Sequence, residues 1–149
     1  MEALAEWGYL GLFIASFLAA TILPFSSEIV LSLLIAANYD LKTCLILATL
    51  GNWAGGMSSY GLGWLAKWSF IEKYFRVKKE KIQSLKAKID NWGSLLAFFC
   101  WLPVVGDPLA IGLGVFKTNV WLVGMWMFVG KLVRYVAWAG ITYWGFSLI

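Results

Sequence analysis

The sequence contains no histidine, only three prolines and two cysteines, and only 13% of its residues are charged. Without histidine the chain lacks the most common metal ligand and the usual general base at neutral pH. Catalytic triads that need histidine are excluded, so we expect no enzyme activity, no metal and no cofactor. Cys44 and Cys100 both lie in apolar context, where buried free thiols are expected rather than a disulfide.

Apolar residues, by contrast, dominate the 149-residue chain. It is 61% hydrophobic and 17% aromatic, with ten tryptophans and a mean hydropathy of +0.76. A soluble domain of this size cannot bury so much apolar surface. The apolar runs are long and unbroken, unlike the short alternating strands of a membrane barrel. We therefore predict an all-α integral membrane protein.

Four apolar segments are separated by polar stretches, and two of the four are interrupted. The interrupted segments cover residues 7–37 and 92–116, and the continuous ones cover residues 43–66 and 120–149. Proline ends or kinks a helix, so each interruption predicts a break with a new helix after it. The first predicted break is at Pro24, with Ser26 or Ser27 as the cap of the helix that follows. The second is at Pro103 and Gly106, with Asp107 as the N-cap and Pro108 in the first turn of the next helix.

The two interrupted segments also match in spacing, which predicts an internal duplication. The separation between Glu28 and Gly51 along the chain equals the separation between Asp107 and Gly130. We divide the single membrane domain, residues 1–149, into repeat 1 at about 7–66, a connector at 67–90 and repeat 2 at about 92–149. Two re-entrant hairpins and two transmembrane helices would make an inverted repeat; two fully spanning pairs would make a parallel one. Lys117 favours the inverted form, which places it in the cytoplasm.

The connector carries eight Lys or Arg residues and three Asp or Glu residues. This excess of positive charge places it in the cytoplasm. Its apolar residues recur at helical spacing, which favours an amphipathic helix on the inner leaflet; a solvated connector is the alternative. Anionic lipid explains the basic face, so we expect no nucleic-acid partner.

Four charged side chains lie within the apolar segments: Glu28, Asp107, Lys131 and Arg134. An unpaired charge at the centre of a membrane helix costs about 2.5–3.5 kcal/mol, so such residues are usually functional and paired. We predict that they form a substrate- or ion-binding cluster together with Asn52, and that Arg134 pairs with at least one acid. The alternatives are that the acids only cap helices and that Lys131 extends to the membrane surface.

Four glycines are predicted to let helices pack closely, because small residues permit close backbone approach within membranes. They are Gly51, Gly55, Gly56 and Gly130.

Four stretches, LPFSSEIVL, GNWAGG, WLPVVGDPL and GKLVRYVAW, occur in this order along the chain. Together they resemble the YqaA-like small branch of the DedA superfamily, also called VTT or SNARE-associated Golgi protein-like. The resemblance implies a bacterial inner-membrane protein with two opposed re-entrant hairpins, and Glu28 matches the first-hairpin glutamate. The second hairpin of the family reads Arg-x-x-Pro-x-x-Arg, whereas this chain has Cys100 and Gly106 in place of the arginines. Relatives are implicated in moving undecaprenyl phosphate or phospholipids across membranes.

The leading hypothesis is a membrane transporter, or a flippase- or scramblase-like protein, for an anionic lipid or small anion. Helix N-termini at the breaks, with Lys131 and Arg134, would attract an anionic group, and Glu28 or Asp107 could carry a coupled proton. The alternative is a non-transporting membrane scaffold or homeostasis factor; an intramembrane enzyme using the two acids is the least favoured. Membrane lipids are the expected partners, including polyprenyl phosphates, and a homodimer is expected from the small size of the chain.

Overall fold

The structure, a computed structural model, describes residues 2–21, 26–66, 73, 79–103 and 105–148. These residues are mostly helical and none of them forms a strand, as the sequence predicts. The predicted break residue Pro24 and most of the connector's first half lie outside the described residues. The elements are α1 (Glu2–Ala19), α2 (Ser26–Ala36), α3 (Leu41–Leu65), α4 (Lys79–Leu96), a 3₁₀ segment (Ala97–Trp101), α5 (Gly106–Val115) and α6 (Val120–Ser147).

Helix α4 runs from the connector into the third apolar segment. It continues from Lys79 to Leu96 without interruption, across the boundary between the connector and repeat 2 near residues 90–92. Asn91, Trp92 and Gly93 neither remove an amide hydrogen nor clash in a helix, so nothing there stops it. The helix tightens to 3₁₀ geometry at Ala97 and ends at Trp101, because Leu102 is extended (φ −64°, ψ 132°) before Pro103.

One described helix, α6, is long and apolar enough to cross a membrane by length and composition. Helix α3 has 25 residues, about 37 Å at 1.5 Å per residue, but its asparagine, serines and glycines lower its hydropathy. The apolar parts of α1, α2 and the stretch Trp92–Trp101 are shorter. A break within an apolar segment divides it into helices that are each too short to cross the membrane.

Helix α3 lies at the centre of the fold and packs against α1, α5 and α6. A Cβ atom at Gly51 or Gly55 would collide with the backbone carbonyls of Phe13 and Phe17 on α1. At the other end of α3, Gly63 lies against the Ile111 carbonyl. Glycine is therefore required along α3 because two helix backbones approach it directly.

The same turn follows α2 in the first half of the chain and α5 in the second. Asn38 (φ 60°) and Lys117 (φ 52°) adopt the left-handed conformation, and each ends its helix in a Schellman arrangement. The Tyr39 amide donates to the Leu34 carbonyl at 3.0 Å, and the Thr118 amide donates to the Leu113 carbonyl at 3.1 Å. The two halves thus share local geometry as well as residue spacing.

Each of these turns leads into an N-capped helix. The Asp40 carboxylate accepts hydrogen bonds from the Thr43 hydroxyl at 2.6 Å and the Thr43 amide at 2.8 Å. These bonds favour the charged form and lower the pKa of the exposed Asp40 carboxyl below its usual range. Asn119 occupies the matching position before α6 and accepts from the Trp121 amide at 3.0 Å. Both long helices begin with a satisfied cap.

Candidate functional site

A buried ion pair joins α2 to α6. The Arg134 guanidinium donates from Nη2 to Oε1 of Glu28, which is the pairing that the sequence predicts. Its Nη1 donates to the Trp101 carbonyl at 2.9 Å, at the end of the 3₁₀ segment. One cation therefore joins the start of α2, the second break and the middle of α6. The guanidinium fork is shared between a carboxylate and a backbone carbonyl.

Two buried hydroxyl groups support the Glu28 carboxylate on the side away from Arg134's hydrogen bond to Oε1. The Ser27 hydroxyl donates to Glu28 Oε2 at 3.2 Å, and the Tyr135 hydroxyl donates to the Ser27 oxygen at 2.9 Å. Ser27 and Tyr135 are both fully buried. Ser27 was predicted as a helix cap; its hydroxyl instead holds the carboxylate. Ser26, the other predicted cap, is the first residue of α2.

Lys131 forms the start of a polar chain across the bundle. Its ammonium group donates to Asn52 Oδ1, and Asn52 Nδ2 donates to the Ser16 carbonyl on α1 at 3.0 Å. Lys131 is only 2% exposed, so the alternative in which it extends to the membrane surface is wrong. Its stem lies against Gly56, where an added Cβ would be 3.0 Å from Lys131 Cε. Gly56 therefore makes room for the lysine.

Asp107 lies near Lys131 and Asn52, in the first turn of α5. Together with Asn52, Lys131 and Arg134 it lines a small polar cavity at the second break. The prediction that Asp107 is the N-cap is wrong, because the N-cap is Val105 and Asp107 is the second residue of the helix. The helix begins early because the Gly106 amide already bonds to the Leu102 carbonyl at 2.9 Å. Pro108 falls in the first turn, as predicted.

The second break has Cys100 and Gly106 at the two positions where the resemblance would place arginines. A Cβ at Gly106 would collide with the Cys100 carbonyl, so this conformation has no room for an arginine at that position. Gly130 lies in the same way against the Phe98 carbonyl and brings α6 close to the 3₁₀ segment. This approach allows Arg134 to reach the break from α6.

An apolar groove of about 490 Å³ opens beside the ion pair. Glu28, Trp101 and Arg134 line it, together with apolar side chains of α2 and α6 that include Ile29, Val133 and Ile141. Arg134 and Pro103 line both this groove and the small polar cavity. The guanidinium therefore lies between an apolar compartment and a polar one.

The sequence alone did not single out Tyr135, Ser16 or Trp101 as parts of this site. Tyr135 could have been found, since it lies four residues after Lys131 and so on the same face of a helix. Ser16 and Trp101 contribute backbone carbonyls, and no side-chain pattern reveals those.

Ionisable side chains within apolar helices are rare in membrane proteins and usually mark a functional site, and the named relatives of this chain are membrane proteins. An uncharacterized protein from Haemophilus influenzae is 34% identical over 135 residues, which are 85% of this chain and 82% of the relative. Inner membrane protein YqaA of Escherichia coli is 34% identical over 134 residues, 88% of each chain. Uncharacterized membrane protein YkoX of Bacillus subtilis is 27% identical over 140 residues, 89% of this chain and 62% of the relative.

The chain belongs to the YqaA family of DedA-type membrane proteins, as relatives with 34% identity over most of both chains show. Its resemblance to the YqaA-like branch is therefore confirmed. The E. coli and Shigella flexneri relatives are inner membrane proteins, which supports a bacterial inner membrane location. No family model matches the chain, and no solved structure matches it.

Proposed function

We propose that this protein moves an anionic lipid or small anion across the membrane, as a transporter or a flippase- or scramblase-like protein. One observation carries the proposal: the Glu28–Arg134 ion pair lies at the junction of an apolar groove and a polar cavity. An amphiphile needs that combination, with apolar cover for its chain and polar partners for its headgroup. A purely structural ion pair needs neither compartment.

The buried charges suggest how an anionic group would be held. Lys131 and Arg134 lie three residues apart on α6 and so on one face of it. Both line the polar cavity, where Asp107 is also present. Glu28 already occupies part of the Arg134 guanidinium, so an arriving anion would compete with a carboxylate. Protonation of Glu28 would weaken that competition, and this is how a proton could be coupled to transport.

The proposal includes an inverted arrangement of the two halves. Two re-entrant hairpins, α1 with α2 and the 3₁₀ segment with α5, would meet near the bilayer centre, with the connector at 67–90 in the cytoplasm. The helices on either side of each break contact each other, and the equivalent turns at Asn38 and Lys117 support a duplication. Broken helices that meet at the midplane form the substrate sites of inverted-repeat transporters.

Cysteine accessibility tests this topology. Single cysteines at the exposed positions Lys42 and Lys86, in a background with Cys44→Ala and Cys100→Ala, should react on opposite sides of the membrane. A membrane-impermeant maleimide applied to intact spheroplasts should label Lys42→Cys only, and lysis should expose Lys86→Cys. Labelling of both from the same side would mean that α3 does not cross, and the inverted arrangement would be wrong.

Lipid translocation in proteoliposomes tests the function itself. We expect the purified protein to speed the movement of a fluorescent phosphatidylglycerol between leaflets, measured by dithionite quenching, relative to protein-free vesicles. Glu28→Gln should reduce the rate because an amide cannot take up and release the coupled proton, so the anion could bind at Arg134 but would not be displaced again by a carboxylate. A rate no higher than that of empty vesicles would contradict lipid transport. An unchanged rate in Glu28→Gln would exclude the role of Glu28.

The second candidate function is a membrane scaffold, and one observation favours it. A second apolar groove of about 500 Å³ lies between α3 and α6, lined by Trp53, Met57 and Trp121 among others. As a scaffold surface it could take a partner or a second copy of the chain. A scaffold should tolerate Glu28→Gln in complementation assays and should lose function when bulk is added at this groove.

A further inference from the structure

The apolar groove beside the ion pair has the size and position of a lipid-chain site. Its volume of about 490 Å³ falls within the range of about 300–1,000 Å³ typical of ligand pockets. Ile29, Val133 and Ile141 line it and are each more than half exposed. In a membrane protein such exposed apolar walls face the hydrocarbon of the bilayer, so a lipid chain can enter from the side.

One end of the groove is polar and carries the Glu28–Arg134 ion pair. The Arg134 side chain is 17% exposed and the Glu28 side chain 7%, so the cation is the more accessible of the two charges. Trp101 also lines the groove, and its buried indole N–H has no hydrogen-bond partner among the described residues. Lys131 lies one helical turn from Arg134 and lines the adjoining cavity together with Asp107. On the groove side the more accessible charge is the Arg134 cation, which together with the Trp101 N–H suits a phosphate better than a choline or an amine.

We propose that this groove binds one acyl chain of an anionic phospholipid, with the lipid phosphate at Arg134 beside the polar cavity. The inference rests on the proposed function, because it names the substrate class and the entry route for the same site. The lipid enters sideways between α2 and α6, and its chain stays in contact with the bilayer while its headgroup reaches the polar cavity. The acyl chain covers groove residues that the described part of the protein leaves exposed.

Photolabelling tests the groove with a matched pair of variants on α6. Val133 lines the groove and is 52% exposed, whereas Val136 lies outside its lining and is 51% exposed. The probe is phosphatidylglycerol with a diazirine in one acyl chain, in vesicles of phosphatidylethanolamine and phosphatidylglycerol. Val133→Trp should cut groove labelling about tenfold, as expected when about two methylene groups lose apolar cover. Val136→Trp should leave labelling unchanged.

Further arms of this experiment separate the proposal from general lipid contact. Ile141→Trp, at the same groove, should reproduce the loss, and thermal unfolding should show that both groove variants remain folded. A phosphatidylcholine probe with the same chain should label the groove less. Equal labelling by both probes, or equal loss in Val133→Trp and Val136→Trp, would overturn the proposal. So would displacement of the probe by glycerol phosphate in water, because the headgroup alone would then dominate binding.

Labelling measures binding without movement, so it distinguishes failure of the groove from failure of transport. Selective groove labelling without translocation would overturn the proposed function and leave the lipid site standing. Translocation at the same rate in wild-type and Val133→Trp protein, with no selective labelling, would overturn the lipid site and leave transport standing.

Discussion

Replacement of Arg134 by glutamine should destabilise the folded protein by about 3 kcal/mol, at the lower end of the range for a broken buried ion pair. The lower end applies because the Arg134 side chain keeps 17% of its surface exposed. The variant leaves the buried Glu28 carboxylate with the Ser27 hydroxyl but without its cation, and it also removes the donor to the Trp101 carbonyl. Denaturation in mixed micelles, with the free energy of unfolding compared to wild type, measures the loss.

Two double variants determine whether the lost stability comes from the unpaired charge. Glu28→Gln with Arg134→Gln should cost less than Arg134→Gln alone, because no buried charge remains unpaired. The reversed pair, Glu28→Arg with Arg134→Glu, should recover part of the stability, because opposite charges again face each other. If the effects of the two single changes simply add, the side chains do not interact and the ion pair does not stabilise the fold.

The second large effect is expected at Gly114, where α5 crosses α3. A Cβ at this position would meet the Tyr60 carbonyl and lie 2.8 Å from the Trp64 amide nitrogen. Backbone atoms cannot move aside as a flexible side chain can, so Gly114→Ala should cost about 1–3 kcal/mol, the usual range for overpacking. The same mixed-micelle denaturation measures this cost.

Gly112, on the same helix, provides the control. A Cβ there would meet nothing within 4 Å, so Gly112→Ala should be neutral or stabilise the helix by up to about 1 kcal/mol. Helix α3 offers a second pair of the same kind, with Gly63 in contact and Gly61 open. Equal effects of alanine at both members of each pair would show that the helices do not approach as closely as the structure indicates.

The sequence predicted the paired charges because the cost of burial in a membrane leaves few alternatives. Glu28 and Arg134 come from opposite ends of the chain, yet each needs a partner within the apolar region. Glu28 lies as far before Gly51 as Asp107 lies before Gly130, and this spacing likewise predicted that the two acids hold equivalent positions in the two halves. Single residues whose burial is expensive are therefore informative even without a structure.

Other parts of the site could not be predicted, because they depend on backbone atoms and on helix boundaries. The Trp101 and Ser16 carbonyls accept from Arg134 and Asn52, and any residue type carries such a carbonyl. Asp107 was predicted as a cap from its residue type, but the preceding turn already starts the helix at Gly106. The apolar groove has no sequence signal, since its walls are ordinary membrane-helix residues.

Anion movement through the Glu28–Arg134 site is tested most directly by the translocation rate of phosphatidylglycerol in proteoliposomes that contain the reversed pair, Glu28→Arg with Arg134→Glu. Stability alone requires only that opposite charges meet, whereas anion movement requires the cation on α6, between the groove and the polar cavity. We expect a folded protein whose rate falls to that of empty vesicles. A folded reversed pair with the wild-type rate would contradict a role of the ion pair in anion movement and leave Glu28 and Arg134 with a structural role alone.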